Sequence, residues 1–557
     1  MLRRLATRAL VCCFTVAVVT ACDGSDGGPA VDAATVDVAV ELDAALDGLP
    51  DAALPACGTP TQCASMWEAH AADRFDDLLD DSAGLADFLH DVPKGADLHN
   101  HLSGAVYAET LLGWAFEDGN CINRTTFAAV SPGSCSASTS PTPTAGTFFE
   151  QIIDAWSMRN FVPGAQSGRD HFFATFGKFG LIAANHRDDE IADLAIRAAR
   201  ENQLYIETMF NLGRNVGTLA ADSWTGTLTA ADLPVLFARI RSAPTFAAEI
   251  ADDVAVVESA RSGYRRSLGC DGATPPPACD VTVRFIAQVS RTGANDQIFG
   301  QLIGAFEMAA VNGQIVGANL SSPEDDTASI NNYDLHMAML DFLYGRYTAA
   351  GTSPLQITLH AGELTAASLP PGSTANTFHI RKAVQIAHAA RIGHGLDILS
   401  ETDSSALMDE MRDRNVLVEI CLSSNDQILE VRGAAHPLAQ YLAHGVPVAL
   451  ATDDQGVSRS SLAGEYLRAA RDQLIDYRQL KTFARQSLEH AFVPGSSLWS
   501  AIETGTPTAA CTPTDTMGVG TEPDATCQQL LNGSERARLQ WELERRFLVF
   551  EQAQPAP

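Results

Sequence analysis

The chain has 557 residues, of which 46% are hydrophobic and 19% are charged. This composition is sufficient for a large hydrophobic core and excludes a chain that is disordered throughout. Its 37 basic and 68 acidic residues give a net charge of −31 at pH 7, and no cluster of Lys and Arg interrupts the acidic pattern. Nucleic acid is therefore excluded as an expected partner.

The first residues have the pattern of an export signal. Three arginines within the first eight residues precede an apolar run at 9–19 and then Cys22. A basic segment, a short apolar segment and small residues before a cleavage point are typical of secretory signals, and this run is too short to span a bilayer. We expect a lipoprotein-type signal peptide at 1–21 and lipidation of Cys22, with an ordinary signal peptide cleaved nearby as the alternative.

The next segment, 22–56, is rich in Ala and Asp and contains no basic or aromatic residue. Such a composition favours a flexible acidic tether. Together with the signal, it predicts an exported protein that contacts a bacterial membrane only through its lipid anchor, at the periplasmic or the outer surface.

The cysteine spacing is typical of a protein from an oxidising compartment. Eight of the twelve cysteines form close sequence pairs around loop-like stretches, so we expect local disulfides. The predicted pairs are Cys57–Cys63, Cys121–Cys135, Cys270–Cys279 and Cys511–Cys527. Free cysteines or other connectivities are the alternative. Cys421 lies in an apolar run and is expected to be a buried free thiol.

Short apolar runs alternate with helix-like stretches from residue 93 onwards, which predicts an α/β fold. Eight such runs indicate eight parallel strands, the number that closes a TIM (β/α)8 barrel. The predicted strands are 96–102, 204–210, 281–289, 315–320, 355–359, 391–396, 416–422 and 446–452. An open doubly wound sheet is the alternative, but the sequence lacks the Gly-rich dinucleotide turn after the first strand.

The barrel is expected to lie between two helical segments. We expect helices at 57–92, the barrel at 93–530, and a C-terminal helix with a tail at 531–557, where Ser534 is a candidate helix N-cap. Insertions bracketed by cysteines are expected near 115–146, 262–280 and 503–528.

Polar side chains gather at the carboxyl ends of the predicted strands. His99 and His101 lie two apart on the first strand, so both project to the same face. Later strand ends contribute His360, Glu363, His394, Asp453 and Asp454. In a barrel these ends meet at one face, where barrel enzymes hold their active sites. Three His and one carboxylate suit a divalent metal such as zinc, although each motif taken alone also has a structural interpretation.

Five segments, taken in chain order, form a specific set of motifs. They are PKGADLHNHL at 93–102, HAGE at 360–363, RIGHG at 391–395, EICLSSN at 419–425 and TDD at 452–454. This set closely resembles the adenosine deaminase family, over roughly residues 90–495, and implies a metal-dependent amidohydrolase barrel. The layout of signal, N-terminal helices and insertion is closest to the secreted adenosine deaminase-related growth factor branch, which implies a homodimer.

The resemblance implies hydrolysis of adenosine, and of 2'-deoxyadenosine, with release of ammonia; adenosine gives inosine. The implied zinc ligands are His99, His101, His360 and Asp453. In this family a zinc-activated hydroxide attacks C6 of the purine. By position, Glu363 would protonate N1, His394 would orient the hydroxide, and Asp454 would contact N7.

The substrate-contacting residues that the resemblance implies are His101, Ser103, Ser322 and Asp454. Two of them depart from the family pattern. Ser103 stands where many members carry an acidic residue that meets a ribose hydroxyl, and Ser322 stands where a Gly main chain would approach the base. Two alternatives therefore stay open: a deaminase of adenine, of a modified adenosine or of AMP, and a non-catalytic nucleoside-binding surface lipoprotein.

Overall fold

The computed structural model describes residues 60–512 and 523–554. The predicted signal peptide, the tether, Cys22 and Cys57 lie outside these ranges. Among the helices within them, none combines the length and the apolar character that a membrane span requires.

Eight parallel strands form the centre of the fold. They are β1 (Gly95–His101), β2 (Gln203–Phe210), β3 (Thr282–Ser290), β4 (Ile315–Ser321), β5 (Gln356–Ala361), β6 (Arg391–His394), β7 (Leu417–Ile420) and β8 (Val448–Leu450). Their order in the sheet follows the chain. Just beyond β8, Asp453 bridges back to Asn100 of β1 in parallel register, which closes the sheet. The predicted TIM barrel is confirmed.

Helices surround this barrel. Before β1 they are Pro60–Leu78 and Ser82–Asp91. Between β1 and β2 they are Leu102–Ala105, Ala108–Glu117, Thr147–Trp156, Gly168–Ala183 and Arg187–Arg200. Between β2 and β8 they are Arg214–Ser223, Leu233–Ser242, Phe246–Leu268, Asn295–Val311, Thr327–Arg346, His379–Gln385, Ser404–Asp413, Leu422–Leu429 and Leu438–Ala443. After β8 they are Gln455–Ser458, Leu462–Asp472, Tyr477–Glu489, Ala525–Gly533 and Glu535–Gln552.

The strands alternate between an apolar and a polar side. Leu98 and Ile206 belong to the hydrophobic core shared with the surrounding helices. Their neighbours His99 and Glu207 are fully buried polar residues. Because successive strand side chains point to opposite faces, this alternation lines the barrel interior with chemistry-bearing groups.

The two N-terminal helices pack against the C-terminal helix. Phe88 lies edge-on to Phe550, with ring centroids 5.1 Å apart, and 5.9 Å from Tyr477. The hydroxyl of Ser534 accepts a hydrogen bond from the amide of Ala537, so it caps the last helix as its sequence predicts.

The connection from β1 to β2 forms a separate layer. It contains the short antiparallel strands Cys121–Asn123, Ala129–Val130 and Thr139–Pro141. Its buried side chains, among them Trp156 and Phe179, form a hydrophobic cluster of their own. This cluster holds the helix Gly168–Ala183 beside the carboxyl ends of the strands.

The cysteines of the described ranges follow the predicted pairing. Disulfides join Cys121–Cys135, Cys270–Cys279 and Cys511–Cys527. Cys63 is also disulfide-bonded, while its predicted partner lies outside the described residues. Cys421 is a buried free thiol. The insertion expected near 262–280 begins later, because the helix Phe246–Leu268 continues into it.

Short strands Trp499–Ala501 and Thr506–Pro507 form a hairpin that begins just before the segment 503–528, which is the last expected insertion. The rest of that insertion, at 513–522, is not among the described residues.

Candidate metal centre and active site

Four buried side chains converge where the barrel closes. The Nε2 atom of His360 lies 3.1 Å from Nε2 of His99 and 3.1 Å from Nε2 of His101. The Oδ1 atom of Asp453 lies 3.2 Å from Nε2 of His101 and 3.7 Å from Nε2 of His99. Bonds of about 2.1 Å to a tetrahedral zinc would hold ligand atoms about 3.4 Å apart, so this spacing suits such an ion.

In each of the three imidazoles, the hydrogen bond made by Nδ1 determines whether Nε2 is free to bind a metal. The Nδ1 atom of His99 faces Glu419 Oε2 at 2.6 Å, that of His360 faces Asn319 Oδ1 at 2.8 Å, and that of His101 faces Gln288 Oε1 at 3.0 Å. A carboxylate or amide oxygen only accepts, so each Nδ1 carries the proton.

In the neutral rings, the three Nε2 lone pairs therefore point at one another and at a carboxylate. Burial and the neighbouring imidazoles hold the pKa of His360 well below its usual range, which keeps that ring neutral. A cation bound between these lone pairs removes their repulsion. The donor set thus fits a metal ion.

Asp453 is held in place by its backbone and by Ser424. Its φ angle of 57° lies in the left-handed region, a strained conformation that recurs at functional sites. Its amide donates to His99 O at 2.8 Å, and the Ser424 hydroxyl donates to its Oδ2 at 2.6 Å. The remaining oxygen, Oδ1, faces the histidines.

A buried ionic network holds the His99 side chain in place. Arg391 donates to Glu419 at 2.6 Å and to Glu207 at 2.5 Å, and all three side chains are fully buried. Burial raises the pKa of Glu419, but Arg391 and the hydrogen bond from His99 lower it to about 2. Glu419 therefore remains a carboxylate opposite the outer nitrogen of His99.

Glu363 lies beside the metal ligands in the turn after β5. Its amide and that of Gly362 donate to the buried carboxylate of Glu324, at 2.8 and 3.1 Å. Burial, together with the nearby carboxylates of Asp453 and Glu324, raises the pKa of Glu363 well above its usual range.

His394 is fully buried at the end of β6 and also has a left-handed backbone, with φ of 65°. Its Nε2 atom lies 3.8 Å from Glu363 Oε1, and its Nδ1 atom lies 3.0 Å from the Asn425 side-chain nitrogen. Burial lowers the pKa of His394 to about 3, so the ring is neutral.

A cavity of about 230 Å³ opens onto these groups. Its polar lining includes Glu363, Asp454 and the candidate ligands His101, His360 and Asp453. Phe172, Phe173 and Phe176 of the helix Gly168–Ala183 form an apolar wall. Ser103 and Ser322 also line it. Ser322 has φ of 80°, so this Ser adopts a backbone conformation that favours glycine, and its hydroxyl lies 2.8 Å from that of Ser290.

Asp454 completes the polar side of the cavity. Its Oδ1 atom is buried and has no hydrogen-bond partner among the described residues. A Cβ atom on Gly104 would lie 1.8 Å from that oxygen, so Asp454 occupies space that only a glycine leaves free. Burial, opposed by His101 and reinforced by Asp453, raises the pKa of Asp454 to about 8.

Known proteins share this sequence pattern. A family model described as adenosine deaminase matches residues 229–502. An adenosine deaminase of Serratia proteamaculans is 30% identical over 244 residues, which is 43% of this chain and 60% of that enzyme. Residues 229–502 of the chain thus match the adenosine deaminase family. The alignment thus spans less than two thirds of this curated relative.

Two solved structures are also similar. The N6-mAMP deaminase of Arabidopsis is 19% identical, with a TM-score of 0.47, over 73% of this chain and 96% of that one. An amidohydrolase from Burkholderia ambifaria, solved with bound zinc, is 17% identical, with a TM-score of 0.44, over 74% of this chain and 88% of that one.

The structure brings all the residues singled out in the deaminase motifs to one site. The four predicted ligands lie within 4.8 Å of one another, and a second group within that distance contains Glu363, His394 and Asp453. Roles for Asn425, His436 and Glu419 were not predicted from the sequence, although Asn425 and Glu419 lie in the motif EICLSSN. It also gave no signal for the phenylalanine wall.

Proposed function

We propose that this chain is a zinc-dependent hydrolase that removes the 6-amino group of adenosine and 2'-deoxyadenosine, releasing ammonia. The observation that carries the proposal is the convergence of the Nε2 atoms of His99, His101 and His360 with the Asp453 carboxylate. The match to the adenosine deaminase family supports the same conclusion.

Glu363 and His394 lie next to the candidate metal ligand Asp453, so attack on the substrate carbon would take place beside them. When bound, zinc supplies a nucleophile at neutral pH because the cation acidifies water. Glu363 lies at the cavity edge and donates a proton to ring N1, which makes the neighbouring carbon more electrophilic. Its backbone is fixed by Glu324, so the carboxyl group stays in reach of the base. His394, whose Nε2 atom lies 3.8 Å from Oε1 of Glu363, would hold the attacking oxygen by a hydrogen bond.

Asp454 and the phenylalanine wall hold the rest of the substrate. Asp454 lines the cavity, and its carboxyl group pairs with ring N7. Phe172, Phe173 and Phe176 cover the apolar faces of the ligand and exclude water. Ser103 offers a hydroxyl to the sugar in place of a carboxylate.

The charge of the cavity supports a nucleoside over a nucleotide. No Lys or Arg is among the described residues that line it, whereas phosphate is usually held by such side chains. The nearby Arg169 is already paired with Asp325, through bonds of 2.6 and 2.7 Å.

We also propose that the protein is exported and anchored through a lipid on Cys22. The pattern of residues 1–22 and the use of disulfides support this location.

The proposal is tested by ammonia release from the oxidised, zinc-loaded chain with adenosine, 2'-deoxyadenosine, adenine and AMP. We expect release from the two nucleosides and its loss in Glu363→Gln, which keeps the size of the side chain. Ammonia release from adenine or AMP alone would show that the substrate is that compound and not a nucleoside. A folded, zinc-containing protein that deaminates none of the four would contradict the proposal and favour a binding protein.

A further inference from the structure

A row of three hydrogen bonds runs from a peptide group to His394. The amide of Leu438 lies 3.2 Å from Nδ1 of His436. The Nε2 atom of His436 lies 3.1 Å from Oδ1 of Asn425, and the Asn425 side-chain nitrogen lies 3.0 Å from Nδ1 of His394. All three side chains are buried.

The peptide group at the start of this row fixes the direction of every bond in it. A peptide N–H only donates, so Nδ1 of His436 must accept and its proton must be on Nε2. That Nε2–H donates to the Asn425 oxygen, and the Asn425 NH₂ group donates to Nδ1 of His394. The neutral His394 ring therefore carries its proton on Nε2.

The reverse orientation of Asn425 is chemically excluded. If its NH₂ group faced His436, both nitrogens of that ring would have to accept, which leaves the imidazole without a proton. Burial lowers the pKa of His436 to about 4, so this ring is neutral and has one proton. Only the orientation described above satisfies all three side chains.

We propose that Asn425 and His436 are positioning residues that keep His394 in the Nε2–H form. His394 then acts as a hydrogen-bond donor to the attacking oxygen and not as a base, because its Nε2 atom already carries a proton and has no lone pair to accept another. The Nε2 atom is buried without a hydrogen-bond partner among the described residues and lies 3.8 Å from Glu363. This inference rests on the proposed deaminase function for its catalytic part.

The tautomer is measured first, and independently of activity. The full chain, labelled with ¹⁵N-histidine and loaded with zinc, is compared with His394→Gln to assign the His394 signals. We expect a protonated Nε2 and an unprotonated Nδ1. A protonated Nδ1 in the unmodified protein would overturn the proposal.

Asn425→Asp reverses the last bond, because a carboxylate accepts from Nδ1–H of His394. We expect the proton to move to Nδ1 and kcat for adenosine to fall about 100-fold, the loss typical of one transition-state donor. KM and zinc content should stay unchanged. An unchanged kcat would overturn the proposal.

His436 provides a second test that does not require the Asp variant to fold. Gln in its place can accept from the Leu438 amide and donate to Asn425, so His436→Gln should retain the His394 tautomer and most of kcat. Leu can make neither hydrogen bond, so His436→Leu should lose the His394 tautomer and most of kcat. His336→Leu is the matched control, since His336 is buried and bonded to Asn295 outside the site. Equal kcat in the two His436 variants would overturn the proposal.

The experiments distinguish a failure of the proposed reaction from a failure of the positioning role. If no substrate is deaminated but the tautomer is as expected, the assigned reaction is wrong and the positioning of His394 stands. If adenosine is deaminated and the tautomer is the other one, the positioning role is wrong and the reaction stands.

Discussion

The Glu419 carboxylate bridges His99 and Arg391: one oxygen lies 2.6 Å from Nδ1 of His99, and the other lies 2.6 Å from Nε of Arg391. Thr358 adds a third hydrogen bond at 2.9 Å. The guanidinium keeps Glu419 ionised, and the ionised carboxylate holds the imidazole with its lone pair towards the metal position.

Glu419→Gln removes this charge while keeping the side chain's size. We expect zinc affinity to fall about 10- to 100-fold, as for other partners that orient a ligating histidine, measured by competition with a chelator. Glu207→Gln is the control, because it also removes a carboxylate from Arg391 but makes no contact with a ligand. An equal fall in both variants would show that general destabilisation causes the loss.

Zinc should stabilise the fold through the same four ligands. At a free zinc concentration about 1,000 times Kd, binding adds about 4 kcal/mol to the free energy of unfolding, visible as a higher Tm by calorimetry. Asp453→Asn should lose most of this gain. Magnesium should raise Tm very little, because it prefers six oxygen ligands. A Tm that zinc leaves unchanged would contradict a metal centre at this position.

The barrel and the convergence of the four candidate ligands could be predicted because their signals are local and periodic. Each strand is a short apolar run, and His99 and His101 have the spacing of one strand face. The chain order of the polar strand ends then determines which residues meet. The C-terminal helix could also be predicted from a local signal, because Ser534 directly precedes it as its N-cap.

The supporting contacts could not be predicted, because they join distant segments whose residues also suit ordinary cores. Phe172 and Phe176 have the spacing of any buried helix face, and nothing in sequence shows that they border a cavity. The Asn425–His436 bond depends on how the helix Leu422–Leu429 meets the next loop. The sequence likewise does not show the left-handed backbones at His394 and Asp453.

Gly104 is predicted to be essential for the position of Asp454. In Gly104→Ala, the new Cβ would lie 1.8 Å from Asp454 Oδ1, so the carboxyl group must move away from the base. We expect kcat/KM for adenosine to fall about 100-fold, since a shift of about 1 Å in a site commonly has that effect. Gly113→Ala is the control, because a Cβ there meets nothing within 4 Å. Full activity in Gly104→Ala would contradict the role of Asp454.

Arg169 is predicted to hold the phenylalanine wall over the substrate. It pairs through two bonds with Asp325, in the loop after β4, and lies 5.5 Å from the ring centroid of Phe173. Arg169→Met removes the pair but retains an apolar chain over the ring. We expect KM for adenosine to rise about fivefold, corresponding to about 1 kcal/mol for a partly exposed ion pair, with a smaller change in kcat. Arg159→Met removes ion pairs with Asp154 and Glu150 in the same layer without touching the cavity. If Arg159→Met raises KM as much as Arg169→Met does, the rise is caused by lower stability of this layer and not by movement of the phenylalanine wall.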